Sequence, residues 1–529
     1  MPDIQSYTAL PSSSISSALS KPYDAIIIGA GVAGSALAYA LTDPSRTKSR
    51  QSPPEVLIIE RDLSPPDRIV GELLQPGGCL AAKRLGLSDC LDNIDAVEVN
   101  GYGVFWQSPQ AASSKNTGLK LSYPLESVKM GWTDGVLWGG KASQGRINYQ
   151  QGRSFHHGRF VQRLRWKAQS RASVTVLQAP ATDLVCCSTT NQVIGVTVRA
   201  SDDQLVSFYA PITFVADGCF SKFRRIIAPD RFKQPQVRSH FVGLLLDTPD
   251  PLDCLPFPGH GHVILAKRSP TEQLQPGEPQ PVGPVLIYQI GCAETRMLVD
   301  VPGGKVPSIG NGNLKCYLER QVGPLLPHSL LKTFHATLDS NDPVHRLRVM
   351  PNSYLPSHRQ ENSPGVVMIG DSLNMRHPLT GGGMTVALLD VEIISNLLGE
   401  LEDFEDWSLI EQRLAIWHQQ RKGASTCVNV LAQALYSLFG AQDQNLEILK
   451  EGCFRYFELG GKNVSEPISL LSALVPSPLL LCYHFFSVAF YSIYIMITQN
   501  PLVALAPQKI LAVFWTASIT ILPVLWAEC

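Results

Sequence analysis

The chain has 529 residues, enough for roughly two to four domain-sized units, and with 44% hydrophobic and 17% charged residues it is apolar for a soluble protein. A net charge of −1 and the lack of any zinc-like cysteine spacing leave no electrostatic or metal-finger case for nucleic acid. The 12 cysteines contain no C-x-x-C pair, and the neighbours Cys186 and Cys187 would point to opposite faces of a strand, so they read as reduced thiols.

Residues 1–20 are polar and serine-rich, without the basic start and apolar core of a signal peptide, so the domain that follows is expected on the cytosolic side. From Tyr23 the pattern changes. Ala25 to Ile28 predict a buried strand, Gly29, Gly31 and Gly34 fall at G-x-G-x-x-G spacing across Val32 and Ala33, and Ser35 to Leu41 are helix formers. A strand feeding a glycine turn feeding a helix brings bare backbone N–H groups and a positive helix end onto a pyrophosphate, where a side chain at Gly31 would stand in the way. Thr42 to Glu55 form a polar loop, and a second strand, Val56 to Ile59, ends in Glu60, the acid expected to hold a ribose hydroxyl pair. Arg68 can offer its guanidinium to a phosphate or a carbonyl, or stand in solvent.

Val97 to Trp106 predict one strand with Tyr102 in its middle, Pro109 to Lys120 a loop, and Gly131 to Gly152 an insertion without a period. Phe155 opens a basic helix through Arg163, Arg165 and Lys167, in which Arg165 is a cation able to reach an anionic cofactor. The adjacent His156 and His157 cannot both face one metal from a regular helix, so no metal site is expected. Val174 to Val176, Val193 to Val198 and Leu205 to Tyr209 read as strands of a small antiparallel sheet. The apolar strand beginning at Pro211 then ends in Asp217-Gly218, a second signature that sets a carboxylate and a glycine beside the pyrophosphate. Phe241 to Asp247, Val263 to Leu265, Val285 to Ile290 and Arg296 to Val301 supply strands for a second domain, interrupted by a loop from Pro270 to Pro284 that holds five prolines.

The opening pattern recurs in shortened form at Val366 to Ile369, a strand that runs into Gly370-Asp371. A glycine-rich loop from His377 to Met384 follows, then an amphipathic helix from Thr385 to Leu398. Asp371 can bind a ribityl or ribose hydroxyl, while the N–H groups at Gly383 and Met384 face a ring carbonyl of the cofactor. Beyond Pro478, Leu479 to Ile497 is a run of 19 residues without formal charge, and Ile510 to Trp526 is a second such run. Each is close to membrane-spanning length. Tyr483, His484, Ser487, Tyr491 and Ser492 make the first amphiphilic and Pro523 interrupts the second, which favours two helices lying in one leaflet over two crossings. Burial as core helices of a soluble domain is disfavoured, because no partner domain follows them.

The three ordered motifs, Gly29 to Gly34 with Glu60, Asp217-Gly218 and Gly370-Asp371, resemble the fingerprints of aromatic-hydroxylase-type flavoprotein monooxygenases. Longer runs narrow the resemblance to the squalene monooxygenase family: Glu60-Arg61-Asp62-Leu63, Pro66 to Gly78, Phe155 to Phe160, Asn374 to Thr385, Val428 to Tyr436 and the apolar tail. The resemblance implies an α/β fold in which a Rossmann-like FAD-binding domain is interleaved with a β-sheet substrate domain, followed by a helical, membrane-associated C-terminal region. The expected parts are a polar tail (1–22), an FAD-binding domain (23–237 and 351–400), a substrate domain (238–350), a helical region (401–477) and membrane helices (478–529). It further implies epoxidation of squalene to its 2,3-epoxide with FAD, O2 and electrons from NADPH delivered by NADPH-cytochrome P450 reductase. The setting would be the endoplasmic reticulum membrane, and also lipid droplets, with the catalytic domain facing the cytosol and membrane lipid as a partner. The family's FAD contacts fall on Val32, Ala33, Glu60, Arg61, Arg68, Arg165, Asp371 and Met384, and its activity-critical tyrosine on Tyr102, whose hydroxyl would orient Gln75 beside the flavin rather than act as a base. On the residues alone, Tyr102 reads first as a strand tyrosine packed in the core.

A hydrocarbon without a polar handle requires a dry pocket of apolar and aromatic residues. No second strand–glycine–helix unit for NADPH is present, since Gly310 to Asn313 has no strand before it. Two other readings are a flavin hydroxylase acting on a prenylated ring and a non-catalytic FAD-fold carrier of prenylated partners. An NAD-dependent dehydrogenase would leave Asp217-Gly218 and Gly370-Asp371 without a role.

Overall fold

The structure is a computed structural model that describes residues 10–107, 118–124, 151–227, 235–266, 282–360, 363–440 and 443–528. Its first layer is a five-stranded parallel sheet in the order Val366–Met368, Ile212–Val215, Ala25–Ile28, Val56–Glu60, Val174–Gln178. The three inner strands are apolar and buried along their length apart from the tip at Glu60, as strands covered on both faces must be. Ile28 pairs with Ile59 on one side and Val215 on the other, and Val215 pairs with Met368. That register brings the glycine turn, Glu60, Asp217-Gly218 and Gly370-Asp371 to one carboxyl edge, where open α/β sheets bind their ligands. Helix Val32–Leu41 packs against helices His157–Gln169 and Gly383–Leu398.

A seven-stranded sheet forms the second layer, in the order Arg348–Tyr354, Gln236–Asp247, Glu294–Pro302, Val285–Gln289, Gly261–Ala266, Gly101–Gln107, Gly118–Ser122. It is antiparallel except where Gly261–Ala266 runs parallel to Gly101–Gln107. Two strands of this layer thus come from the first part of the chain, ahead of the boundary expected at 238.

Several local expectations are corrected. Val97 to Trp106 is two strands in two sheets: Val97–Val99 joins Leu73–Leu74 and Gly152–Ser154, and Gly101–Gln107 joins the large sheet. The break falls at Gly101, whose φ of 149° and contact with the Leu121 carbonyl exclude a side chain. Val174 to Val176 belongs to the parallel sheet, not the small antiparallel one, whose third strand is Ala181–Cys186. A three-residue β-branched run carries no mark of which sheet it will join. Gly118 to Lys120, expected in a loop, starts the strand Gly118–Ser122; the rest of that loop, residues 125–150 and residues 267–281 lie outside the described residues. The polar N-terminal stretch is docked from residue 10: Leu10 and Ala18 are buried, and Ser13 N–H donates to Val176 O at 2.9 Å along the sheet edge.

The helical part holds helices Trp407–Phe439, Gln444–Glu458 and Lys462–Leu471, on which Pro478–Gln499 and Pro507–Glu528 lie. The helices before the tail thus cover one face of it, while most of each apolar run stays exposed, as expected of helices that are not the core of a soluble domain. The inner faces carry Leu481, His484, Ala489 and Ser492, and Val513, Ala517 and Ile521. Gly452 lets the helices approach, since a Cβ there would run into Ser492. His484 meets Glu466 at 2.8 Å and the Tyr456 hydroxyl at 3.0 Å, so part of the amphiphilic pattern serves the body of the protein. The outer faces expose Leu479, Phe490, Leu511, Trp515, Leu522 and Trp526, between 47% and 87% of each.

Candidate functional site

A groove of about 200 Å³ runs along the carboxyl edge of the parallel sheet, lined by Gly31, Val32, Ala33, Arg68, Gly218, Gly370, Asp371, Gly383 and Met384 among others. The three glycines of the first turn do different work. Gly29 has φ 103°, and a Cβ there would stand 2.5 Å from Ala216 O. At Gly34 a Cβ would run into Gly29 O, whereas at Gly31 it would meet nothing within 4 Å. The space at Gly31 belongs to the groove, and an unblocked backbone at a helix N-terminus is what a pyrophosphate needs. Helix Gly383–Leu398, with no side-chain cap, presents a second N-terminus to the groove, set by Gly381 at φ 64°.

The remaining predicted residues divide into those that line the groove and those that stand behind it. Asp371 lines it, and Arg68 lines it while donating from Nη2 to Cys219 Sγ at 3.2 Å. Glu60 accepts from Ala30 N–H at 2.8 Å and from Asp62 N–H at 3.2 Å, fixing the turn. Arg165, 4% exposed, stands behind the turn. Its Nε donates to Ala30 O at 2.8 Å, Nη1 to Ser64 O at 2.9 Å and Nη2 to Asp62 O at 3.2 Å. It shapes the cradle from behind instead of lining it. Arg61 lines a separate surface cleft with Gln178, Pro180 and Arg199. Asp217 has a buried Oδ1 without a hydrogen-bond partner, and burial raises its carboxyl above the usual range.

Two groups escaped the sequence reading. Arg224 ties the second motif to the third: its Nη2 donates to Gly218 O at 2.9 Å and Asp371 O at 3.0 Å, and its Nε to Ser372 O at 2.7 Å. The only trace of this in the sequence is a basic pair a few residues after Asp217-Gly218. His157 lines the groove, with Nδ1 2.8 Å from Gly71 O; burial, aided by the Arg68 charge, pushes it down to about 4, so it is neutral. No cluster of metal-ligating side chains occurs among the described residues.

Beyond Val70, Gly71, Pro378 and Gly381, which line both spaces, lies a second cavity walled by Tyr102, Leu286, Tyr288, Leu298 and Leu379. Tyr102, which therefore faces this cavity and not the groove, is 7% exposed and has a phenol that burial pushes up to about 12, so it stays protonated. Its hydroxyl accepts from Gln75 Nε2, which also donates to Thr380 O at 2.6 Å. At the cavity wall Glu72 is paired bidentately with Arg296 at 2.8 and 2.9 Å and accepts from Tyr288 at 3.2 Å, so its charge is met inside the protein.

A dinucleotide cradle joined through a glycine loop to an apolar chamber is the architecture of a flavin-dependent monooxygenase. In fold the chain is similar to PqsL of Pseudomonas aeruginosa, a probable FAD-dependent monooxygenase (TM-score 0.55, 17% identity, covering 81% of this chain and 97% of that one). It is likewise similar to HpxO of Klebsiella pneumoniae, solved with FAD and uric acid (TM-score 0.59, 16% identity, 86% and 97%). In sequence, the squalene epoxidase family model matches residues 209–511. The chain is 42% identical to a squalene epoxidase of Aspergillus fumigatus over 96% of this chain and 93% of that one. It is 43% identical to a squalene monooxygenase of Panax ginseng over 89% and 76%. The chain belongs to the squalene epoxidase family.

Proposed function

We propose that this protein binds FAD in the groove and epoxidises squalene in the adjoining cavity. The observation that carries the reading is the adjacency of the two spaces across one wall, Val70, Gly71, Pro378 and Gly381. The residues fit the cofactor: open space at Gly31, two helix N-termini and Arg68 suit a pyrophosphate and a ring carbonyl, and Asp371 suits a hydroxyl. We assign Gly29, Gly31, Val32, Ala33, Gly34, Asp217, Gly370, Asp371, Gly383 and Met384 to the cradle, with Glu60 and Arg165 holding its turn; Arg61, in a separate cleft, is left out of it. Reduced flavin supplies the activation of O2 from which one oxygen atom enters the alkene and the other leaves as water, with two electrons coming from NADPH. The chain supplies the surroundings. Tyr102 and Gln75 fix the loop Pro378–Thr380 at the wall, and the cavity, about 40 Å³ and mostly apolar in its lining, offers room for the reacting end of a hydrocarbon that makes no hydrogen bond.

In this reading the electrons arrive from NADPH-cytochrome P450 reductase, as the resemblance to the family implies; NADPH docking transiently over the flavin is the alternative route. The exposed apolar face of the tail rests in the endoplasmic reticulum membrane, and on lipid droplets, with the catalytic body in the cytosol. The FAD-binding domain takes residues 23–237 and 351–400, less the two strands lent to the substrate sheet, and the substrate domain is 238–350 with those strands added. Incubating the purified protein with FAD, NADPH, reductase and labelled squalene tests the whole reading: flavin-dependent formation of the 2,3-epoxide is expected, and a flavin-loaded protein that leaves squalene unchanged would overturn it.

A further inference from the structure

Arg376 is a buried cation with work left undone. It follows Asp371 in the loop that leads to the glycine run, is 7% exposed, and lines the groove beside Met375 and Pro378. Its Nη2 donates to Asn374 O at 2.8 Å and to Asn374 Oδ1 at 2.9 Å. Its Nε and Nη1 are buried and have no hydrogen-bond partner. A guanidinium carries five N–H donors and no acceptor and keeps its charge, so leaving two nitrogens buried and unpaired is costly unless something else fills them.

The carboxylates nearby do not fill them. Asp390 is held bidentately by Arg421 at 2.9 and 2.8 Å, and Glu528, at the end of the last helix, accepts at Oε1 from the Tyr354 hydroxyl at 3.4 Å, while its buried Oε2 has no hydrogen-bond partner and meets Arg376 only through its charge. Asp371 itself faces the groove. The loop is meanwhile rigidly held: Asn374 Nδ2 donates to Leu355 O at 2.8 Å, Asn429 Nδ2 to Asn374 Oδ1 at 3.0 Å, and Met375 exchanges both backbone bonds with Leu355 at 2.9 Å. A cation pinned through one nitrogen, in a residue that lines a ligand groove and with its other two nitrogens buried and unpaired, is preorganised for an oxygen that the ligand brings.

We infer that Arg376 is a further cofactor-binding residue, donating Nε–H and Nη1–H to oxygen atoms of FAD. The inference rests on the reading of the groove as the FAD site. It adds to that site a fixed positive charge from the loop after Asp371.

The test uses the full-length protein stripped of FAD and titrated with FAD by quenching of flavin fluorescence, for the wild type, Arg376→Gln and Arg376→Lys. The Gln variant is expected to weaken FAD binding by about tenfold or more and the Lys variant, which keeps the charge but loses the fork, by about threefold or more. The reduction potential of bound flavin should become more negative in the Gln variant if the oxygens lie on the ring, because a nearby cation stabilises the added electrons. If they lie on the pyrophosphate, ADP used as a competing probe should lose affinity in parallel with FAD. Either result supports the assignment. A variant that melts cooperatively without FAD, yet binds FAD within threefold of wild type at an unchanged potential, overturns it. Should the Gln variant fail to fold, the Lys variant decides by the same threefold limit. A wild-type protein that takes up no FAD would instead overturn the reading of the groove.

Discussion

The Tyr123 hydroxyl donates to Oε1 of Gln75 at 2.7 Å, and this bond sets which way round the amide lies. Nε2 is thereby turned toward the Tyr102 hydroxyl and Thr380 O. The two tyrosine rings meet edge to face with centroids 5.8 Å apart, and rotating the Gln75 amide would break its hydrogen bonds to both hydroxyls. Gln75 thus links strand Gly101–Gln107 to the loop that heads helix Gly383–Leu398.

Tyr102→Phe keeps the ring and its packing. Gln75 Nε2 retains Thr380 O, so the expected cost is about 1 kcal/mol in stability. Epoxide formation should fall about tenfold or more, because a slackened Gln75 no longer fixes the loop at the wall. Melting temperature, bound FAD and turnover measured on one preparation separate the two effects; near-normal turnover in a fully flavinated variant would return Tyr102 to a packing role.

Gly31 and Gly34 should respond in opposite ways. Gly31→Val places its side chain in open groove and should lose FAD while the FAD-free protein keeps its stability to within about 1 kcal/mol. Gly34→Val drives a side chain into the Gly29 carbonyl and should lose the fold itself. Flavin absorbance together with urea unfolding of the stripped protein reads both outcomes.

Acid should destabilise the protein through histidines buried in the neutral form. Burial pushes His157 and His262 down to about 4 from an ordinary 6.5. The unfolded chain therefore binds more protons between these values. Stability is full above pH 6.5 and is lost as the pH falls toward 4, at about 1.4 kcal/mol per pH unit for each histidine. Urea midpoints at pH 7, 6 and 5 should fall in order, and His262→Gln should flatten the slope; a flat profile in the wild type would contradict the buried neutral state.

Membrane attachment should depend on the outer face of the tail and not on its inner one. Replacing Leu479, Leu511 and Trp515 with lysine leaves the packed face of both helices untouched. The triple variant is expected to fold, bind FAD and stay in the supernatant in vesicle flotation, whereas the wild type floats. Flotation equal to wild type would move the anchor elsewhere.

What could be read in the sequence was set by how locally each feature is encoded. The glycine turn, Glu60, Asp217-Gly218 and Gly370-Asp371 are dictated by backbone approach within a few residues, and all came to one sheet edge as their strand endings imply. Sheet membership was not legible for Val174–Gln178, because pairing partners are chosen by the whole layer. Arg165 was legible as a needed cation but not as a brace, since its acceptors are three separate carbonyls. Arg224 was missed for the same reason. The tail's inner face was missed because Gly452 and Ser492 mark a close helix crossing only when seen together.

The parallel sheet also has a history in time. Ala25–Ile28 waits for Ile212–Val215, and that strand waits for Val366–Met368 before its far edge is covered. At roughly 5–20 residues per second of synthesis, the first strand emerges some tens of seconds before the last of its layer, and its edge stays open to wrong partners meanwhile. A ribosome-bound chain stopped short of Met368 should therefore lack a finished cradle, which sets cofactor capture near the end of translation of the catalytic body.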